Sequence, residues 1–113
     1  MAREQLQTLT ESMFYILLAL IKPMHGYEIM QTVDFMSERR VKVGAGTLYS
    51  LLTRFEKEKI IKQVSDDGRK KIYELTEKGR DILNGEYFRL KNSITAYDTY
   101  ACNLAKGGNE NEA

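Results

Sequence analysis

Residues 43–55 read VGAGTLYSLLTRF. At 100° per residue, Leu48, Leu51, Leu52 and Phe55 fall on one side. Gly46, Ser50, Thr53 and Lys57 fall opposite, with Thr47 and Arg54 on one flank and Tyr49 on the other. The pattern predicts an amphipathic helix over about 45–59. Its start is loose, because Gly44 and Gly46 are poor helix formers. Its outward side carries small hydroxyls where a solvated helix would favour Glu and Lys, and no carboxylate occurs before Glu56. Glycines leave the first amides without a side-chain cap. Bare amides at the positive end of a helix dipole suit an anion such as phosphate. An ordinary solvated face is the alternative reading.

The flanking segments give this helix its setting. Thr10 or Ser12 can cap a dense apolar helix that stops near Lys22, before Pro23. His25-Gly26 turns the chain into a second amphipathic helix over 27–36, with Ile29, Met30, Val33 and Met36 at helical spacing. Beyond the central helix, the strand-like runs 60–65 and 70–75 flank Asp67-Gly68, a strong hairpin signal because both residues tolerate positive φ. Thr76 then caps a final helix reaching about Leu104. The expected fold is mainly α with a small β-hairpin: a winged helix-turn-helix followed by a long C-terminal dimerisation helix. The expected parts are a winged-helix DNA-binding unit (1–76), a dimerisation helix in the same compact body (77–106) and a polar tail (107–113) expected to be disordered.

The net charge of +1 hides an uneven distribution. Residues 39–73 hold ten Lys/Arg and four Asp/Glu, a local charge of +6, leaving −5 on the rest. A basic block centred on the third helix and the hairpin is the footprint of a polyanion partner. In a winged helix the third helix enters the DNA major groove. Thr47, Ser50, Thr53 and Arg54 could then bond base edges or phosphates, Tyr49 a phosphate, and Arg69, Lys70 and Lys71 the backbone or minor groove. Gly46 and Tyr27 complete the expected DNA-facing set. A winged helix that binds protein instead of DNA remains the alternative, and Tyr49 could equally pack at the edge of the core.

In the final helix Leu83, Tyr87, Leu90, Ile94, Tyr97, Ala101 and Leu104 recur in steps of four and three, a heptad seam. The seam is expected to pair with a second copy of the chain; packing back on the first helix is the other solution. A two-fold dimer would offer two reading helices to a two-fold DNA site. Phe14, Tyr87, Leu90 and Tyr97 could line an aromatic gap for a flat small-molecule effector, or simply pack as core.

Other chemistries find little purchase. The lone Cys102 allows no internal disulfide and no multi-cysteine zinc site. The single His25, at a predicted helix start, reads as a cap or a phosphate neighbour before a catalyst. No P-loop, metal spacing or cofactor motif occurs, so an enzyme is not expected. The longest apolar run, 13–21, is too short to span a bilayer, and the N-terminus does not read as a signal peptide. A cytoplasmic protein is expected.

The segments LTESMFYILLAL, HGYEIM, GAGTLYSLLTRFEKEKII and DDGRKKIYELTEKG, over roughly residues 9–80, resemble the PadR family of bacterial transcriptional regulators. With one helix after the wing, the chain is most similar to the short, LmrR-like subfamily. The resemblance implies a homodimeric winged-helix repressor with the final helix as dimer arm, released from DNA by a ligand in some members. It places Gly46, Thr47, Leu48 and Tyr49 at the start of the recognition helix and Arg69, Lys70 and Lys71 on the wing. Ala45 stands where the family often has proline. Leu90 stands where a multidrug-responsive member has a drug-stacking tryptophan, a residue type this chain lacks.

Overall fold

The structure, a computed structural model, describes residues 9–66 and 70–112. In chain order the elements are α1 (Glu11–Ala19), β1 (Met24–His25), α2 (Gly26–Met36), α3 (Ala45–Lys57), β2 (Ile61–Asp66), β3 (Lys71–Leu75) and α4 (Glu77–Glu112). This is a winged helix: three helices and a small antiparallel sheet, followed by one long helix.

Each helix starts where its sequence supplies a cap. The Thr10 hydroxyl accepts from Met13 N at 3.1 Å. His25 Nδ1 accepts from Glu28 N at 3.5 Å while the Glu28 carboxylate accepts from His25 N at 3.2 Å, a reciprocal box that gives the only histidine a capping role. Thr76 Oγ1 accepts from Gly79 N at 3.0 Å. Helix α3 is the exception: Gly44 is its N-cap and supplies no side-chain bond.

Ile16, Leu17, Ile29, Val33, Leu48 and Phe55 are sealed from solvent, so α1, α2 and α3 meet in one core. Leu51, on the apolar side of the α3 wheel, is only half-buried. The sheet order is β1-β3-β2, with Tyr73 of β3 paired to Met24 on one side and Gln63 on the other. The hairpin is legible in the sequence but β1 is not. Two residues carry no periodic signal, and β1 exists because the α1–α2 turn runs beside β3. The hairpin turn at 67–69 lies outside the described residues.

Helices α2 and α3 both end in left-handed turns without glycine. Glu38 and Arg39 take φ of 55° and 68°, and Lys59 takes 65°. Ile60 N reaches back to Phe55 O at 2.8 Å, the bond that closes such a terminus. Thr76 Oγ1 then donates its one proton to Lys59 O (2.6 Å), with Ile60 O also in reach (3.0 Å), and Thr76 N donates to Ile60 O at 3.0 Å. These bonds dock the start of α4 on the start of β2. Gly79 makes the approach possible, since a Cβ there would overlap the Ile60 carbonyl.

Helix α4 continues to Glu112, past the end expected near Leu104, and takes in residues 107–112, expected to be disordered. Propagating an existing helix adds one hydrogen bond per residue and requires no apolar seam. At 1.5 Å per residue its 36 residues span about 54 Å, so most of it extends beyond the winged-helix body.

Candidate nucleic-acid interface

The outward side of α3 is open. Gly46, Thr47, Ser50 and Thr53 are all exposed, while Leu48, Leu52 and Phe55 hold the opposite side in the core. The N-terminus of α3, which has no side-chain cap, therefore stands at the surface.

Two hollows flank this face, and Thr53 lines both. The first, about 600 Å³, lies between α2, α3 and the wing, bounded by His25, Tyr27, Tyr49, Glu56, Tyr73 and the wing lysines Lys70 and Lys71. Tyr49 leans over Gly26: a Cβ at residue 26 would stand 2.7 Å from Tyr49 Cζ and closer to its hydroxyl. Tyr49 thus packs on one edge, the core-edge position open to it in the sequence, and remains 47% exposed on the other. Tyr73 forms the floor. Burial, with the Glu56 carboxylate and Tyr49 nearby, pushes its hydroxyl above the ordinary tyrosine value, so it stays neutral. Gln63 donates to Glu56 at 3.1 Å and holds that carboxylate at the wall.

The second hollow, about 630 Å³, lies at the far end of α3, among Ser50, Arg54, Lys57, Glu58, Lys59 and Lys78. Arg54 Nε donates to Glu58 at 3.1 Å, an i,i+4 pair. Arg54 therefore sits tethered at the helix end and is only half-exposed. Lys78 arrives from α4 and donates to Glu58 O at 2.9 Å. Lys78 is not among the residues expected from sequence, because its approach to α3 depends on the Gly79 docking.

The structure brings the expected DNA-facing residues Tyr27, Gly46, Thr47, Tyr49, Ser50, Thr53, Arg54, Lys70 and Lys71 to one side of the molecule, around α3 and the first hollow. Arg69 lies outside the described residues. Part of the basic block is already neutralised: Arg40 pairs with Glu11 at 2.6 Å, Lys42 with Asp34 at 3.0 Å and Lys62 with Glu74 at 3.8 Å.

The seam on α4 divides. Leu83 is buried in the core and Leu90 half-buried, but Tyr87, Ile94, Tyr97 and Leu104 are at least half exposed. Packing back on α1 thus accounts only for the first turns. Of the expected effector residues, Phe14 and Leu90 share a hollow of about 290 Å³ with Tyr15, Glu86 and Arg89; Tyr87 and Tyr97 do not line it. Glu86 is buried and ion-paired to Arg89. The Arg89 bond outweighs burial, and the backbone of Leu9 adds a further hydrogen bond, so the carboxyl is held below its ordinary value.

A family model described as the transcriptional regulator PadR-like family matches residues 16–85. The chain belongs to the PadR-like family. Among solved structures this PadR-like chain is similar to a transcriptional regulator from Clostridium thermocellum, with a TM-score of 0.68 and 21% identity over 82% of this chain and 98% of the other. It is also similar to a PadR family transcription regulator from Clostridium difficile, with a TM-score of 0.61 and 26% identity over 78% and 97% of the two chains. A protein from Lysinibacillus sphaericus is 35% identical over 71 residues, covering 59% of this chain. The chain spans 18% and 65% of the lengths of two curated relatives it matches. The family and fold are those of transcriptional regulators. No described helix is long and apolar enough to cross a membrane.

Proposed function

We propose that this PadR-like chain is a cytoplasmic, non-enzymatic repressor that binds a two-fold-symmetric DNA operator as a homodimer. The observation that carries the reading is the exposed, hydroxyl-bearing face of α3, with its uncapped start and the wing lysines beside it. In this reading the amides around Gly46 and the hydroxyls of Tyr27 and Tyr49 bond phosphates. Thr47, Ser50 and Thr53 meet base edges or phosphates, and Arg54 acts at the helix end. Arg69, Lys70 and Lys71 follow the backbone. The exposed seam residues Tyr87, Ile94, Tyr97 and Leu104, with Leu83, Leu90 and Ala101, join two copies. The repressing sense, and release by a small apolar or aromatic effector near Phe14 and Leu90, follow from the family resemblance.

An anisotropy titration on the chain's own upstream region at two salt concentrations tests the reading. Sequence-preferring binding that weakens steeply with salt is expected, because neutralised phosphates release counterions. Absence of binding at low salt would refute it and leave a protein-binding winged helix.

A further inference from the structure

The two hollows beside α3 are related in a way the DNA-binding reading does not use. Thr53 lines both, so the outer face of α3 is a ridge with a hollow on either side. On the wing side the cations are Lys70 and Lys71. On the other side they are Arg54, Lys57, Lys59 and, from a different element, Lys78. A helix lying in the major groove, about 12 Å wide, has a sugar-phosphate backbone on each side.

The charge on the second side exceeds what the fold needs. The carbonyl end of a helix carries about half a negative charge, which one cation satisfies. Lys78 meets it by donating to Glu58 O at 2.9 Å. The Glu58 carboxylate, the only acidic side chain lining this hollow among the described residues, is taken by Arg54 at 3.1 Å. Lys57 and Lys59 come in addition to these two pairs. Lys59, moreover, occupies a left-handed position, φ 65°, of the kind helix ends usually give to glycine. A lysine side chain is therefore placed at this corner against the local backbone preference.

We propose that the hollow between the end of α3 and the start of α4 is a second phosphate-binding surface. Through it Lys57, Lys59 and Lys78 hold the DNA strand opposite the one followed by the wing. The inference rests on the DNA-binding reading and extends it from one backbone to both. Thr53, on the crest, then points between the strands, toward the bases.

The test uses the full chain and a duplex selected by it from a random-sequence library. Phosphate-ethylation interference on the wild-type complex should give two clusters of sensitive phosphates per half-site, one on each strand. The Lys57→Gln/Lys59→Gln/Lys78→Gln variant should lose one cluster and keep the other. The slope of log affinity against log salt should shrink by about 0.9 for each phosphate no longer neutralised, about two to three in all. An arbitrary duplex should weaken by the same factor as the selected one, leaving the preference between them intact. Lys57→Gln alone, an exposed change, covers the case in which the triple variant melts early; its slope should shrink by about 0.9. Unchanged slopes with both clusters intact would overturn this inference while leaving the DNA-binding reading in place. So would a weakening confined to the selected sequence. A wild-type chain that selects no duplex would overturn both.

Discussion

Two glycines in α4 should respond to the same substitution with opposite signs. Gly79 is buried against β2, and a Cβ there would lie 3.1 Å from Leu75 Cδ2 and 3.2 Å from the Ile60 carbonyl carbon, with the Ile60 oxygen nearer still. That oxygen is backbone and cannot rotate away, so α4 must retreat by about 1 Å to restore ordinary van der Waals separation. Overpacking of this kind costs about 1–3 kcal/mol. The retreat also stretches the bond that Thr76 N gives to Ile60 O, 3.0 Å long and worth about 1 kcal/mol. Alanine returns about 1 kcal/mol as a better helix former. Gly79→Ala should therefore destabilise by about 1–3 kcal/mol. Gly85 lies on the same helix with nothing within 4 Å of a Cβ. Gly85→Ala should keep only the propensity gain, about 1 kcal/mol of stabilisation. Urea unfolding followed by circular dichroism, at one fixed protomer concentration because association contributes to stability, reads both. The Gly79→Ala midpoint should fall by about 0.5–1.5 M and the Gly85→Ala midpoint should rise. Equal midpoint shifts, or a stabilised Gly79→Ala, would refute the docking argument.

Three further outcomes follow from the same geometry. Gly26→Ala meets first the far end of a half-exposed tyrosine, so it should displace Tyr49 outward, leave the melting temperature within a few degrees and weaken DNA binding; anisotropy and thermal melting check it. Ile94→Asp places a charge in the exposed half of the seam and should yield monomers at micromolar concentration by light scattering, with helicity retained. Glu86 has a folded-state pKa below its unfolded value, so its contribution to stability is present above about pH 4.5 and is lost as pH falls through the lowered folded value. Glu86→Gln should flatten the acid side of a melting-temperature profile; an unchanged acid limb would remove Glu86 from the account.

The parts of this molecule readable from sequence are those governed by local rules. The 3.6-residue spacing in VGAGTLYSLLTRF locates α3 and its two faces, and Thr10 and Thr76 mark helix starts through the short reach of their hydroxyls. The seven-residue repeat reveals the seam, and the structure then leaves Ile94 and Tyr97 uncovered. What stayed hidden depends on elements distant in sequence. Strand β1 needs β3 beside it. The Tyr49–Gly26 approach spans two helices, and Lys78 reaches Glu58 only after α4 has docked. The Arg54–Glu58 pair was open to reading, since its i,i+4 spacing is a helical signal.

The docking of α4 on the Ile60 carbonyl also works as the pivot of a lever. Helix α4 packs beside α1 as far as Leu90, and in the proposed dimer the arm beyond, residues 91–112, is about 33 Å long. A tilt of about two degrees at the joint would move the far end by about 1 Å, and a shift of that size, shared between two arms, changes the distance between two α3 helices. Side chains facing DNA choose which bases are read, whereas Gly79 and Thr76, which touch none, would set how far apart the two readings are made.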